Sequence, residues 1–182
     1  MANVYLAGHC LNRGSQLLRR EEAQLVEQLG HKLYNPMDNK EINDKATADP
    51  VGLAERIVKH DTDAILWSDT VIIEPDSAAL GTHVELGQLL GMKDLAEMVI
   101  NLIDDCERSP EEVLGEIYYL CTKQKDREVF PHLEDIRMSE VPEQGIRRSF
   151  SINQYVVGAC LALTGGRGFY TMDEIRKELG GK

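Results

Sequence analysis

Short apolar, β-branched runs alternate along this chain with segments of helical period, and that alternation restricts it to a parallel sheet covered by helices. The runs are residues 4–7 (VYLA), ended by Gly8; 31–35 (HKLYN), stopped by Pro36; 70–74 (TVIIE), ended by Pro75; and 99–103 (VINLI). Between them, Ser15 caps a helix whose stripe takes in Leu18, Leu25, Val26 and Leu29, with Gly30 closing it. Residues 37–49 read as a polar loop. Asp49 caps the next helix, with Pro50 at its favoured first position. Gly81 opens a helix through about Met92, and Ser109-Pro110-Glu111-Glu112 starts another. Residues 122–145 carry charges and two prolines, and irregular structure is expected there, with at most a short strand. A helix then resumes at Ser151 or Ile152 and runs to Leu163, ended by Gly165-Gly166. Thr171 and Glu174 form a capping box for a last short helix. The expectation is one doubly wound α/β domain over residues 1–182, with about five parallel strands and its ligand at their carboxyl ends.

At 182 residues such a domain can bury its core without disulfides or metals. A net charge of −11 argues against a nucleic-acid polymer, which needs a basic face to displace its counterions. Arg19, Arg20, Arg147 and Arg148 are too scattered to reverse this, so a small ligand is the expected partner. Cys10, Cys106, Cys121 and Cys160 show neither metal spacing nor a disulfide framework, and Cys10 and Cys160 read as buried thiols. The five histidines lack the HExxH spacing of a zinc site, and no metal is expected. Neither GxGxxG nor a phosphate-binding loop is present, so no nucleotide cofactor is indicated. Residues 1–7 lack the features of a signal peptide, and no apolar run approaches the ~20 residues of a membrane span. A cytoplasmic, reduced protein away from membranes is expected.

Two carboxylates stand where apolar residues belong. The helix after Pro50 has apolar positions 53, 54, 57, 58, 64 and 65, and its stripe runs through Asp61. Either Asp61 serves a site or the helix breaks near His60 and Asp61 caps a new turn. Misplaced ionisable groups cluster at sites, which favours the first. Glu85 lies one turn into the helix opened by Gly81, beside Leu86, Leu89 and Leu90, at the sheet edge where ligands bind. Its alternative role is to favour the helix dipole. Together the two acids suit displacement at a sugar carbon, which pairs a nucleophile with an acid. Gly8 and Gly81 sit on connections facing one crevice, where glycine admits either a ligand or a plain turn.

Tyr5-Leu6-Ala7-Gly8, Asp61 in DTDAILWSD, and Gly81-Thr82-His83-Val84-Glu85-Leu86-Gly87 resemble, in order and spacing, the nucleoside 2-deoxyribosyltransferase family. Asp126-Arg127, the segment Asn153-Gln154-Tyr155-Val156-Val157-Gly158 and the Gly165-Gly166 turn extend the resemblance over nearly the whole chain. It implies a flavodoxin-like fold with a site completed by a neighbouring subunit, hence a homo-oligomer. It also implies that Glu85 attacks the anomeric carbon of a 2'-deoxynucleoside, that Asp61 handles the base and its proton, and that Tyr5 orients the glutamate. Asn153, from the partner subunit, would hold the 5'-hydroxyl end of the sugar, with Tyr155 beside it. The chain departs from the family at Ala79, two residues before Gly81, where an aspartate is usual; Asp76 is the nearest candidate to replace it. The implied partners are a 2'-deoxynucleoside and a nucleobase.

Two other functions fit the same residues. A nucleoside 5'-monophosphate N-glycosidase would need a phosphate patch, for which Arg147-Arg148-Ser149-Phe150-Ser151 is the candidate; those residues equally make a solvated, capped helix start. A non-catalytic nucleoside sensor would explain Ala79 but not the retained Asp61, Glu85 and Asn153.

Overall fold

The computed structural model describes residues 1–44, 48–49, 51–133 and 152–180. Three parallel strands form its sheet: β1 (Asn3–Ala7), β2 (Lys32–Tyr34) and β3 (Thr70–Ile73), in the order β2-β1-β3. β1 is central, pairing Tyr5 with Tyr34 on one side and with Val71 on the other. Its apolar run, Val4 to Ala7, is almost fully buried, as a strand covered on both faces must be. By strand alternation, Val4 and Leu6 turn to one face, where they pack with Val26 of α1 (Arg13–Gln28). Tyr5 and Ala7 turn to the other. There α3 (Leu53–Trp67) lies against β1 and packs extensively on α6 (Gln154–Leu163).

The stripe of α1 is displaced from the expected one. Leu18, Leu25 and Leu29 are exposed; Arg19 and Val26 are the buried residues, with Ala23 packed against the cluster that Val26 forms with Val4 and Leu6. Arg19 hides this face from a purely apolar reading. Its guanidinium, 2% exposed, donates to the Ala7 carbonyl (2.7 Å), to Glu22 (2.8 Å) and to Glu74 (3.0 Å). The helix is capped by Asn12, whose side chain accepts from Ser15 N, not by Ser15 itself. Gly30 follows it at φ +76, the left-handed value that ends helices without strain in glycine.

The expected polar loop after β2 holds a 3-10 turn (Pro36–Asp38) and a short α2 (Lys40–Asn43), because Ile42 is an apolar anchor only 1% exposed. α3 begins at Leu53 behind Gly52 (φ +65), later than expected, with the Asp49 carboxylate accepting from Val51 N at 2.9 Å. It runs unbroken to Trp67, so the alternative of a break at His60 does not hold. α6 is capped by Asn153, and α7 (Met172–Gly180) by the expected Thr171–Glu174 box.

The larger correction concerns residues 99–103, expected as a fourth strand. They are the end of α4 (Leu80–Ile103), which continues past Met92. Apart from Asp94, Lys93 to Met98 are good helix formers, with a Lys93–Glu97 ion pair one turn apart. The half-buried positions Met92, Leu95, Val99 and Leu102 recur at helical spacing. The first punctuation comes after Ile103, so the β-branched run is absorbed into the helix. Three strands are therefore found among the described residues, not about five.

The chain divides into two compact units, residues 1–86 with 130–182, and residues 87–129. The second comprises most of α4 and α5 (Pro110–Lys125), the latter opened by the Ser109–Glu112 capping box. The first holds the sheet and everything described below. Residues 134–151, including the Arg147-Arg148 patch, lie outside the described residues. None of the four cysteines is in a disulfide; Cys10 and Cys160 are half-buried, not fully buried. Among the described residues no helix is long and apolar enough to cross a membrane.

Candidate active site

A cavity of about 750 Å³ opens at the carboxyl edge of the sheet. Its walls come from the residues just after each strand: Gly8, His9 and Cys10 after β1, Asn35 to Met37 after β2, and Ala78 and Ala79 after β3. Parallel strands all deliver their chain ends to this edge, which is why α/β sheets bind ligands there. α3 contributes Asp61, the start of α4 contributes Gly81, Thr82 and Glu85, and the start of α6 contributes Asn153, Gln154 and Tyr155.

Asp61 is 4% exposed and Glu85 5%, each on the inward face of its helix. Burial raises the cost of charge on both. For Glu85 it pushes the carboxyl from its ordinary 4.5 up to about 7, against the opposing pull of a hydrogen bond donated by the Tyr5 hydroxyl to Oε1. Tyr5 is completely buried and its phenol is pushed strongly upward, first by burial and then by Glu85 and Asp61, so it stays a neutral donor. Tyr155 is pushed up to about 12 by burial, with Glu85 and Asp61 adding to the shift. Tyr5 and Tyr155 thus both feel the two carboxylates.

Asn153 caps α6 by accepting from Tyr155 N at 2.8 Å, which fixes its side chain at the cavity rim. A Cβ on Gly81 would lie 3.4 Å from Asn153 Oδ1 and 3.4 Å from Tyr155 Cβ, so glycine lets the start of α4 approach the start of α6. The resemblance implies an Asn153 from a neighbouring subunit; here it lines the cavity of its own chain. The approach of α6 to α3 depends on Gly158, whose added Cβ would fall 2.3 Å from the Ala54 carbonyl oxygen. Gly8 lines the cavity, but its other neighbour is Arg19, with a Cβ there falling 1.8 Å from Nη1.

Six of the eight residues singled out by sequence line the cavity: Gly8, Asp61, Gly81, Glu85, Asn153 and Tyr155. Tyr5 stands behind the wall and reaches Glu85. Asp76 is not brought in. It is exposed, and its carboxylate closes a local turn by accepting from Ala78 N at 2.7 Å, leaving apolar Ala79 on the wall. Sequence reading missed Arg19, Tyr34, Asn35 and Thr82. A charge on a buried helical stripe signals Arg19, just as it signalled Asp61; the polar lining at the strand ends has no periodic signature. Among the described residues no group of three or more His, Cys, Asp or Glu side chains is gathered as a metal cluster.

Two buried acids lining one cavity at the carboxyl edge of a parallel α/β sheet make it a candidate site for acid–base or nucleophilic work on a small ligand. The sequence model of the nucleoside 2-deoxyribosyltransferase family matches residues 4–145, and the chain belongs to that family. Among solved structures, a 2-deoxyribosyltransferase from Bacillus psychrosaccharolyticus is 26% identical, with a TM-score of 0.40; the match covers 47% of this chain and 62% of that one. No curated protein matches.

Proposed function

We propose that this chain transfers a 2-deoxyribosyl group between nucleobases by double displacement. The observation that carries the reading is the pairing of Asp61 and Glu85, both buried and both lining one cavity, with the Tyr5 hydroxyl bonded to Glu85. Membership of the family supports it.

In the first step a Glu85 oxygen bonds to the anomeric carbon as the C–N bond breaks. The electron pair of that bond goes to the base nitrogen, which takes the proton of Asp61, leaving a deoxyribosyl ester on Glu85. In the second, a nitrogen of the acceptor base attacks the same carbon from the vacated face as the bond to Glu85 breaks; the electron pair of that bond returns to the Glu85 carboxylate, and the proton of the attacking nitrogen returns to Asp61. Two inversions retain configuration. Glu85 must begin as a carboxylate, and the Tyr5 hydrogen bond favours that form. Asn153 and Tyr155 would bound the sugar, with Gly8 and Gly81 allowing its close approach. We propose further that the protein works as a homo-oligomer in the cytoplasm.

Ala79 favours a second reading, hydrolysis. Neither it nor Asp76 offers the cavity a polar group to hold an acceptor base, so water can reach the ester instead. Incubation with thymidine and free adenine separates the two. Deoxyadenosine is the expected product; free thymine without it would establish the hydrolase, and no release of thymine would overturn both.

A further inference from the structure

Behind the cavity wall two tyrosines stand side by side, neither of them part of the lining. β1 and β2 pair in the register that makes Tyr5 and Tyr34 direct neighbours. Their rings stack with centroids 5.7 Å apart and planes 10° from parallel. Tyr5 donates to Glu85, and the Tyr34 hydroxyl lies 3.4 Å from Asp61 Oδ1. Each tyrosine therefore addresses one of the two carboxylates.

The direction of the Tyr34 proton follows from Asn39. The Oδ1 of that residue accepts from Glu41 N at 3.1 Å, which leaves its Nδ2 as the group 3.0 Å from the Tyr34 oxygen. An amide nitrogen only donates, so the phenol oxygen accepts there and its own proton is turned toward Asp61. Burial and the nearby Asp61 both hold Tyr34 in its protonated form, against the opposing effect of Asn39. At 3.4 Å the bond is long for O–H···O, and hydrogen bonds of this kind shorten when substrate closes a site. It also strengthens as charge develops on its acceptor.

We propose that Tyr34 is a positioning residue: held by Asn39, it orients the Asp61 carboxyl toward the departing base and stabilises the carboxylate formed once the proton has left. The inference rests on Asp61 being the proton donor of the proposed reaction. As the C–N bond breaks, its electron pair passes to the base nitrogen, which takes the Asp61 proton, and Tyr34 keeps its own proton throughout.

The test compares two donors, 2'-deoxyguanosine, whose base must be protonated to leave well, and 7-methyl-2'-deoxyguanosine, whose cationic base departs neutral without a proton. Tyr34→Phe should lower kcat for the first about tenfold with KM little changed, and leave the second nearly untouched. Asn39→Asp keeps the acceptor for Glu41 N but turns the donor facing Tyr34 into a competing acceptor. It should reproduce the same donor-dependent loss, which covers the case of a poorly folded Tyr34→Phe. In an Asp61→Asn background Tyr34→Phe should add no further loss. Equal losses on both donors, an additive loss beside Asp61→Asn, or no loss at all would overturn the assignment. Should Asp61→Asn itself affect both donors equally, the proton-donor reading of Asp61 falls, and this inference with it. Should Asp61→Asn discriminate and Tyr34→Phe not, only the role of Tyr34 falls. No turnover of either donor by the parent protein would remove the proposed reaction as well.

Discussion

At Glu85 the proposed function and the stability of the fold oppose each other. Its carboxyl lies near 7 when folded and near 4.5 when free, because burial disfavours the charge. Below pH 4.5 both states are protonated and the residue costs nothing. Between the two values the folded state holds the proton that the unfolded state has lost, so stability falls as pH rises, and above 7 the penalty is complete. A shift of this size corresponds to about 3 kcal/mol at most. Glu85→Gln should therefore unfold at a higher temperature than the parent at pH 8 and at an equal one at pH 4, as calorimetry would show. The same change should reduce base exchange at least ~10³-fold, since the proposed nucleophile is gone. In the parent, kcat/KM should rise with pH through about 7 as Glu85 ionises. Tyr5→Phe removes the donor that lowers Glu85, and should move that limb upward by about one pH unit.

Among the elements, α3 was the most legible. Its buried residues Leu53, Ala54, Ile57, Ala64 and Ile65 are those that the 3.6-residue period selects, and Asp61 lies on the same stripe. A helix with one buried face leaves little freedom in which residues point inward. α1 was less legible because its inward face carries Arg19, and α4 because a β-branched run looks alike in strand and helix until its neighbours are known. The contact of α3 with α6 gives a test at this scale. Gly158→Ala places a methyl 2.3 Å from the Ala54 carbonyl oxygen and 2.6 Å from Val58 Cγ2, so the helices must separate. The expected cost is roughly 1–3 kcal/mol, seen as a lower Tm. A raised KM should accompany it, because Asn153 and Tyr155 ride on α6. An unchanged Tm would mean that the two helices do not pack as described.

For the molecule as a whole, the question is whether one chain suffices for one site. Glu85 and Asn153 line the same cavity in a single chain. Glu85→Ala and Asn153→Ala, each purified and then mixed under conditions that exchange subunits, should therefore show no recovered activity. Recovery would mean that Asn153 is donated across a subunit boundary. The sequence by itself picked out the candidate site residues: an acid on an apolar stripe and a glutamate one turn beyond a strand are local facts of spacing, set by the helical period. It also determined the α/β class, since buried parallel strands have to be continuous apolar runs. Only the tertiary structure decided the number of strands among the described residues, that Asn153 and Glu85 line one cavity within a single chain, and that Tyr34 stands beside Asp61. Those depend on contacts between segments far apart in the chain, such as Tyr5 with Glu85 or Gly158 with Ala54, which no local pattern encodes.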